Sequence, residues 1–156
     1  MVNAGILPLL TTLMGSTQHE GILLESARVF VQITLLKKDD LKEAVIRDMG
    51  LEAMKLPLES KHDILKNEVL DAFVLLAPLA AHNPQQLEVM TEGLSAIFEG
   101  ENEDLSAKAL GALAPLVHKQ TFEAFTSSKL FPLVEKLAAT EGPLKQPAAD
   151  ILASNK

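Results

Sequence analysis

The stretch DDLKEAVIRDMGLEAMKLPLESKHDILKNEVLDAFVLLAPLAAHNP, residues 39–84, decides the fold, because it contains one complete unit of an internal helical repeat. Its first part, 41–50, is a short amphipathic run that ends at a glycine. An apolar segment follows at 51–58, and 63–80 has the three- and four-residue apolar spacing of a long helix with one buried face. The stretch therefore predicts a short helix, a middle helix and a long helix in that order.

The same order recurs before and after this stretch at intervals of about 40 residues, which is typical of helical repeat proteins. The aligned positions are Ile6, Leu51, Leu94 and Leu130 in the middle helices and Ala27, Ala72, Ala109 and Ala149 in the long helices. Residues 72–79 (AFVLLAPL) and 109–116 (ALGALAPL) also match at five positions. The pattern predicts one all-α domain over residues 1–156, with four units at about 1–38, 39–82, 83–118 and 119–156. The first unit lacks its short helix.

Glycines and prolines indicate where the helices begin and end. Asn83 followed by Pro84 predicts a helix start, because asparagine caps a helix and proline suits its first position. Gly93 is expected to separate a short helix at 85–92 from the middle helix of the third unit. Pro78 and Pro115 lie in long helices and are expected to kink or end them, because proline lacks the N–H donor.

Composition and charge exclude several classes of protein. Apolar residues make up 47% of the chain but aromatics only 4%, and there is no Trp, Tyr or Cys, so disulfides and thiolate metal sites are impossible. The net charge of −7 repels nucleic acid, and no apolar run reaches the roughly 18 residues that span a bilayer. We expect a soluble, cytoplasmic protein that binds neither nucleic acid nor membrane. Its acidity suits basic protein partners, or serves solubility alone.

The repeat resembles the armadillo family. In that family the long helix reads roughly Ala-x-x-Ala-Leu-x-Asn-Leu, which residues 109–116 match except at the asparagine. Residues 5–10 (GILPLL) match the middle-helix pattern Gly-Ile-x-Pro-Leu-Leu. The resemblance covers nearly the whole chain and implies a right-handed α-solenoid of about four three-helix repeats, the first incomplete. It distinguishes armadillo units only weakly from the related two-helix HEAT units.

Departures from the family pattern limit what the resemblance implies. Armadillo proteins that hold extended peptides use asparagines on the concave face, with tryptophans beside them. The asparagine positions here are Ile33, Pro78, Pro115 and Asn155. The tryptophan positions are Val29, Val74, Gly111 and Ile151. The peptide-clamp function of nuclear-import adaptors is therefore not implied for this chain.

A stripe of small and apolar positions on the inner helices is the strongest candidate for a binding surface. Its apolar residues are flanked by a polar row that includes Ser26. The candidate partner-binding residues are Val29, Leu70, Asp71, Val74, Pro78, Ala107, Lys108, Gly111 and Pro115. An apolar groove suits an amphipathic helix better than an extended peptide. A register error of one position would instead place this stripe in the core.

No motif indicates catalysis, a cofactor or a metal site. The histidines at 19, 62, 82 and 118 lie near predicted helix ends, and no two have the spacing that places metal ligands on one helix face. Phosphate-binding glycine loops and nucleophile motifs are missing. The acidic run at 99–104 lacks the ligand pattern of a calcium loop, and is expected to be a solvated turn or a contact for a basic partner. We predict a non-enzymatic protein.

The predicted function is a protein-interaction scaffold that binds an amphipathic helix or basic segment along the solenoid groove. A second interpretation is a co-chaperone or small-GTPase regulator, because armadillo folds that resemble this one serve both roles. At the N-terminal end, no earlier unit covers the apolar residues Ile6, Leu9, Leu10 and Leu13. Because repeats bury their faces only against neighbours, we expect self-association through that end, or a longer natural solenoid with repeats upstream.

Overall fold

A computed structural model describes residues 6–36, 38–47 and 50–154. These residues form ten α-helices and one 3₁₀ helix and contain no strand, which confirms the predicted all-α class for this part of the chain. The helices are α1 (Ile6–Ser16), α2 (Glu20–Leu35), α3 (Asp39–Arg47), α4 (Gly50–Leu58), α5 (Asp63–Ala80), α6 (Pro84–Phe98), α7 (Glu103–Leu113), the 3₁₀ helix η1 (Ala114–Leu116), α8 (Phe122–Thr126), α9 (Leu130–Ala139) and α10 (Lys145–Leu152). None of the described helices combines the length and the apolar character needed to cross a bilayer.

The longer helices pack in two rows. In the first row α1 contacts α4, α4 contacts α6, and α6 contacts α9. In the second row α2 contacts α5, α5 contacts α7, and α7 contacts α10. The rows contact each other through the pairs α1 with α2, α4 with α5, α6 with α7 and α9 with α10. Helix α5, for example, contacts α2 and α7 in its own row and α4 in the other row. One face of α5 therefore stays uncovered.

Helix α5 shows how the sequence produces this packing. Its buried residues recur three and four positions apart and are Val69, Leu70, Ala72, Phe73, Leu76, Ala77 and Ala80. Full burial of a side chain such as Phe73 or Leu76 contributes about 1.5–3 kcal/mol. The alanines between them let neighbouring helices approach closely. The apolar spacing predicted a helix over 63–80, and these are the observed bounds.

Both α-helices of the third unit begin with an asparagine cap. The Asn83 side chain accepts hydrogen bonds from the backbone N–H groups of Gln85 at 3.1 Å and Gln86 at 3.3 Å, which confirms the predicted start. The Asn102 side chain accepts one from the N–H of Leu105 at 3.1 Å. These bonds satisfy N–H groups that have no partner within the helix. Helix α5 has His62 at the corresponding position, and its side chain makes no such bond.

The prediction that Gly93 interrupts the third unit is wrong. Helix α6 continues through Gly93, so this unit has two long helices where three were expected. A Cβ at Gly93 would lie 3.0 Å from Leu58 Cδ1 and 3.4 Å from Phe73 Cε2. The missing side chain lets α6 pack closely against α4 and α5. Close packing, not a turn, is the reason for a glycine at this position.

The two aligned prolines have different effects. Pro78 lies inside α5, which continues to Ala80, so it does not end its helix as Pro115 does. Helix α7 ends at Leu113, and Pro115 belongs to η1. The Thr121 hydroxyl then donates to the Leu116 carbonyl at 2.5 Å and accepts from the His118 N–H at 3.0 Å. The Thr121 side chain thus provides hydrogen-bond partners for two backbone groups beyond the end of α7.

Candidate partner-binding surface

The uncovered face of the second row contains Val29 of α2, Val74 of α5 and Gly111 of α7, which we call the central stripe. Val29 is 37% exposed and Val74 is 42% exposed. Gly111 is exposed, and no atom lies within 4 Å of the place where its Cβ would be. The three residues occupy equivalent positions in the sequence alignment and lie on helices that contact in succession. They present small or apolar groups to solvent across three neighbouring helices.

Three more of the predicted residues extend this stripe along the helices. Pro78 and Pro115 are exposed and lie four residues after Val74 and Gly111. Ala107 is exposed and lies four residues before Gly111. Because an α-helix has about 3.6 residues per turn, each of the three lies about one turn from its stripe residue.

The prediction that Leu70 belongs to the exposed stripe is wrong. Leu70 is fully buried and is part of the hydrophobic core. A residue four positions before Val74 is rotated by about 40° around the helix axis. The equivalent residue of α7, Ala107, is exposed, so the burial of Leu70 reflects the packing around α5 and not its position in the repeat. Ser26, expected in the polar row, is also buried.

The structure brings together the two charged candidates, Asp71 and Lys108. The Lys108 Nζ lies 2.7 Å from the Asp71 Oδ1, and this pair joins α5 to α7. Both side chains are partly exposed, so the pair contributes little to stability. Each residue lies three positions before a residue of the central stripe, Val74 or Gly111. The contact therefore shows that these stripe residues lie on the same side of the row.

Contacts between neighbouring helices indicate that α2, α5 and α7 run in the same direction. The Arg28 Nε lies 3.3 Å from the Glu68 Oε2 and joins α2 to α5. It connects the ninth residue of α2 with the sixth of α5, and Asp71 with Lys108 connects the ninth of α5 with the sixth of α7.

Nearer the helix starts, Leu24 of α2 and Leu65 of α5 line one recess, and Lys66 of α5 and Glu99, just before α7, line another. Two contacts in the same order along each helix pair indicate parallel helices. The starts of the three helices thus lie at one end of the row.

That end of the row is acidic. Glu20, Asp63, Glu103 and Asp104 lie in the first turns of the three helices and are exposed. Glu99 and Glu101 are exposed just before α7. Carboxylates in these positions favour the helix dipole. Lys66 pairs with Asp63 at 3.4 Å and Lys61 is exposed nearby, but the carboxylates outnumber these lysines and leave this edge of the central stripe negative. A ligand with positive charges along one side would complement this edge.

Sequence reasoning missed a recess on α2 beside Val29. It has a volume of about 450 Å³ and is lined by Glu25, Arg28, Val29, Gln32, Ile33 and Leu36. The sequence contained a signal for it, because the apolar residues Ile22, Val29 and Leu36 are seven positions apart. All three are exposed in the structure. Seven residues are about two helical turns, so the three lie along one side of α2. The recess extends the central stripe along this helix.

The histidines lie at helix ends, as predicted: His19 and His62 occupy the positions just before α2 and α5. In the described ranges, no three His, Asp or Glu side chains are arranged to hold a metal ion. Asn155, the remaining asparagine of the armadillo pattern, lies outside the described residues.

No protein-family model matches this sequence, and no curated protein matches it. Similarity to a relative therefore assigns neither an activity nor a partner to the chain. The central stripe, the Asp71–Lys108 pair beside it and the acidic end of the row are the features that bear on its function.

Proposed function

We propose that the protein is a non-enzymatic scaffold, built as an armadillo-like α-solenoid, that binds an amphipathic helix of a partner protein across α2, α5 and α7. The two rows of successively contacting helices support the solenoid. The third unit, with two long helices, has the composition of a HEAT-type unit. The binding role rests on the central stripe, because apolar surface that continues over neighbouring elements is typical of interaction sites.

The spacing of the stripe favours a helical ligand. Packed helices lie about 8–10 Å apart, so Val29, Val74 and Gly111 are separated by about that distance from one helix to the next. A ligand helix rises about 1.5 Å per residue, and residues seven positions apart on it are about 10.5 Å apart on the same side. Apolar residues at i, i+7 and i+14 would therefore each meet one helix of the row.

The charge of the surface favours basic residues along one flank of that ligand. A helix that crosses α2, α5 and α7 runs parallel to the line of their acidic starts. Lys or Arg side chains on the flank nearest this line would face Glu20, Glu103 and Asp104. Since these contacts are exposed, they would raise the association rate and weaken with salt, while the apolar contacts would resist salt.

Selection from a phage-displayed library of helical peptides tests this function without a known partner. We expect the recovered peptides to have apolar residues with helical spacing and Lys or Arg on one flank. Val74→Glu and Gly111→Glu should each weaken their binding at least about tenfold in fluorescence anisotropy.

Val74→Gln and Ile64→Gln form the matched pair, because both residues are exposed on α5 and glutamine adds no charge to the acidic end. Val74→Gln should also weaken binding, Ile64→Gln should leave the affinity unchanged, and all variants should keep the wild-type circular dichroism. Recovered peptides that bind the stripe variants as well as wild type would show that the ligand binds elsewhere.

A further inference from the structure

Helix α1 presents an apolar face to solvent at the end of the first row. Ile6, Leu9 and Leu13 are 45%, 70% and 43% exposed. They lie at positions i, i+3 and i+7, which share one side of a helix. On the other side, Leu7 is buried, and α1 contacts α2 and α4. The exposed face is therefore separate from the central stripe, which lies on the second row.

This face can be buried at unusually low cost. Helix α1 is the only one of the ten described α-helices without an Asp, Glu, Lys or Arg residue. Its hydroxyl groups already donate within the helix: Thr11 to the Leu7 carbonyl at 3.0 Å, Thr12 to Pro8 at 2.9 Å and Ser16 to Leu13 at 3.1 Å. Burial would remove neither a charge nor an unpaired hydroxyl donor from water.

We propose that α1 is a self-association surface, on which α1 of one copy packs against α1 of a second copy about a two-fold axis. Two copies with a net charge of −7 each repel one another over most of their surface. A face without charged side chains lets them approach without bringing like charges together. A two-fold arrangement places this face against itself and closes at a dimer.

Two other occupants fit this face less well. A head-to-tail contact would place α1 on the opposite end of the rows, where the exposed Glu135, Lys136, Lys145 and Asp150 of α9 and α10 would lose water. Helices that lie on membrane surfaces usually have basic residues on their polar face, and α1 has none. A second α1 requires neither desolvation of charge nor a basic flank.

Sedimentation equilibrium over a wide concentration range tests the dimer. One helix pair buries less than the roughly 800 Å² per partner of a standard interface, so we expect dissociation constants in the micromolar range. Leu9→Glu should weaken the dimer at least about tenfold, because it places a carboxylate in the interface. Ile64→Glu, the same kind of change at an exposed site on α5, should leave it unchanged. A monomeric wild type, an intact Leu9→Glu dimer or equal loss in both variants would overturn the proposal.

Cysteine cross-linking tests the symmetry, because the chain has no cysteine of its own. Under mild oxidation Leu9→Cys should form a covalent dimer across the two-fold axis, whereas Ile64→Cys should stay largely monomeric. Assembly that grows beyond a dimer without cross-linking at residue 9 would show a head-to-tail contact and overturn the two-fold arrangement. Flotation of monomeric wild type with neutral phosphatidylcholine vesicles, lost in Leu9→Glu, would identify lipid as the occupant and also overturn it. Val74→Glu should not affect the dimer, so the outcome is independent of the proposed partner site.

Discussion

The second unit, residues 39–82, forms three helices, α3, α4 and α5, whereas the third, residues 83–118, forms two α-helices, α6 and α7, and the 3₁₀ helix η1. Both units contain a glycine near the expected middle helix and the same Ala-Pro-Leu ending of the long helix. At Gly50 a new helix begins, while at Gly93 a helix continues. Where a helix breaks is therefore decided by packing: Gly93 is pressed against Leu58 and Phe73 of the second unit.

Despite this difference, the two units contact each other in the same way in both rows. Lys55 of α4 and Glu92 of α6 form an ion pair at 2.6 Å in the first row. Asp71 of α5 and Lys108 of α7 form one at 2.7 Å in the second row. Both pairs join residues 37 positions apart in the sequence. The third unit lacks the helix break of the second unit, but equivalent residues of the two units remain 37 positions apart in both rows.

The largest expected effect comes from equivalent leucines in the two long helices. Leu76 and Leu113 are both fully buried. Leu76→Ala and Leu113→Ala should each lower the free energy of unfolding by about 2–5 kcal/mol, because each removes core contacts and leaves a cavity. Urea titration followed by circular dichroism measures this. Ile64→Ala, at an exposed site, is the control and should change it by less than about 0.5 kcal/mol. Two separate unfolding transitions would show that the units have independent cores.

The next effect is a difference in stability between alanine variants of Gly93 and Gly111 in the third unit. Gly111→Ala should raise the free energy of unfolding by about 0.5–1 kcal/mol, because alanine favours the helix and the site is open. Gly93→Ala should gain helix stability for the same reason. Its Cβ would, however, crowd Leu58 and Phe73, and such overpacking costs about 1–3 kcal/mol. Thermal or urea unfolding should place Gly93→Ala below Gly111→Ala by about that cost. Equal stability of the two variants would mean that α6 is not closely packed at Gly93.

A smaller effect concerns the starts of the two long helices. Asn102→Ala should lower the free energy of unfolding by about 0.5–2 kcal/mol, because it removes the side-chain bond to the Leu105 N–H. His62→Ala, at the start of α5, removes no such bond and should cost less. Urea unfolding of both variants measures the difference. A greater loss from His62→Ala would contradict the distinction between a capped and an uncapped start.

The smallest effect is the pH dependence of the Lys55–Glu92 pair. The hydrogen bond from Lys55 lowers the pKa of Glu92 below its ordinary value of 4.5, and the same bond raises the pKa of Lys55 above 10.5. The contribution of Glu92 is therefore present above pH 4.5 and is lost as the pH falls through its folded-state pKa. That of Lys55 is lost only as the pH rises through its own raised pKa, in strong alkali.

Glu92→Gln should thus be less stable than wild type by no more than about 0.5 kcal/mol near neutral pH, since both side chains are partly exposed. The difference should shrink in acid below the pKa of Glu92. Urea unfolding at a series of pH values measures it, with Glu88→Gln on the same helix as the control. A stability difference that grows as the pH falls would contradict the lowered pKa of Glu92.

Local properties of the chain could be read from the sequence. Apolar spacing defined α5 to the residue, Asn83 and Pro84 marked the start of α6, and the exposed positions of Val74 and Gly111 followed from the alignment of the long helices. The lack of charge in α1 is visible in the sequence as well. These features depend on hydrogen bonds and contacts between residues within about one helical turn, which the sequence contains directly.

Other features were decided only by the tertiary structure. Leu70 is buried whereas the equivalent Ala107 is exposed, and Gly93 lies in a helix that packs closely against Leu58 and Phe73. The contact between Asp71 and Lys108 also depends on two helices brought together by folding. Helical periodicity shows which side of a helix is apolar. How closely a distant helix approaches that side depends on the shapes of both, and so only the packed structure determines it.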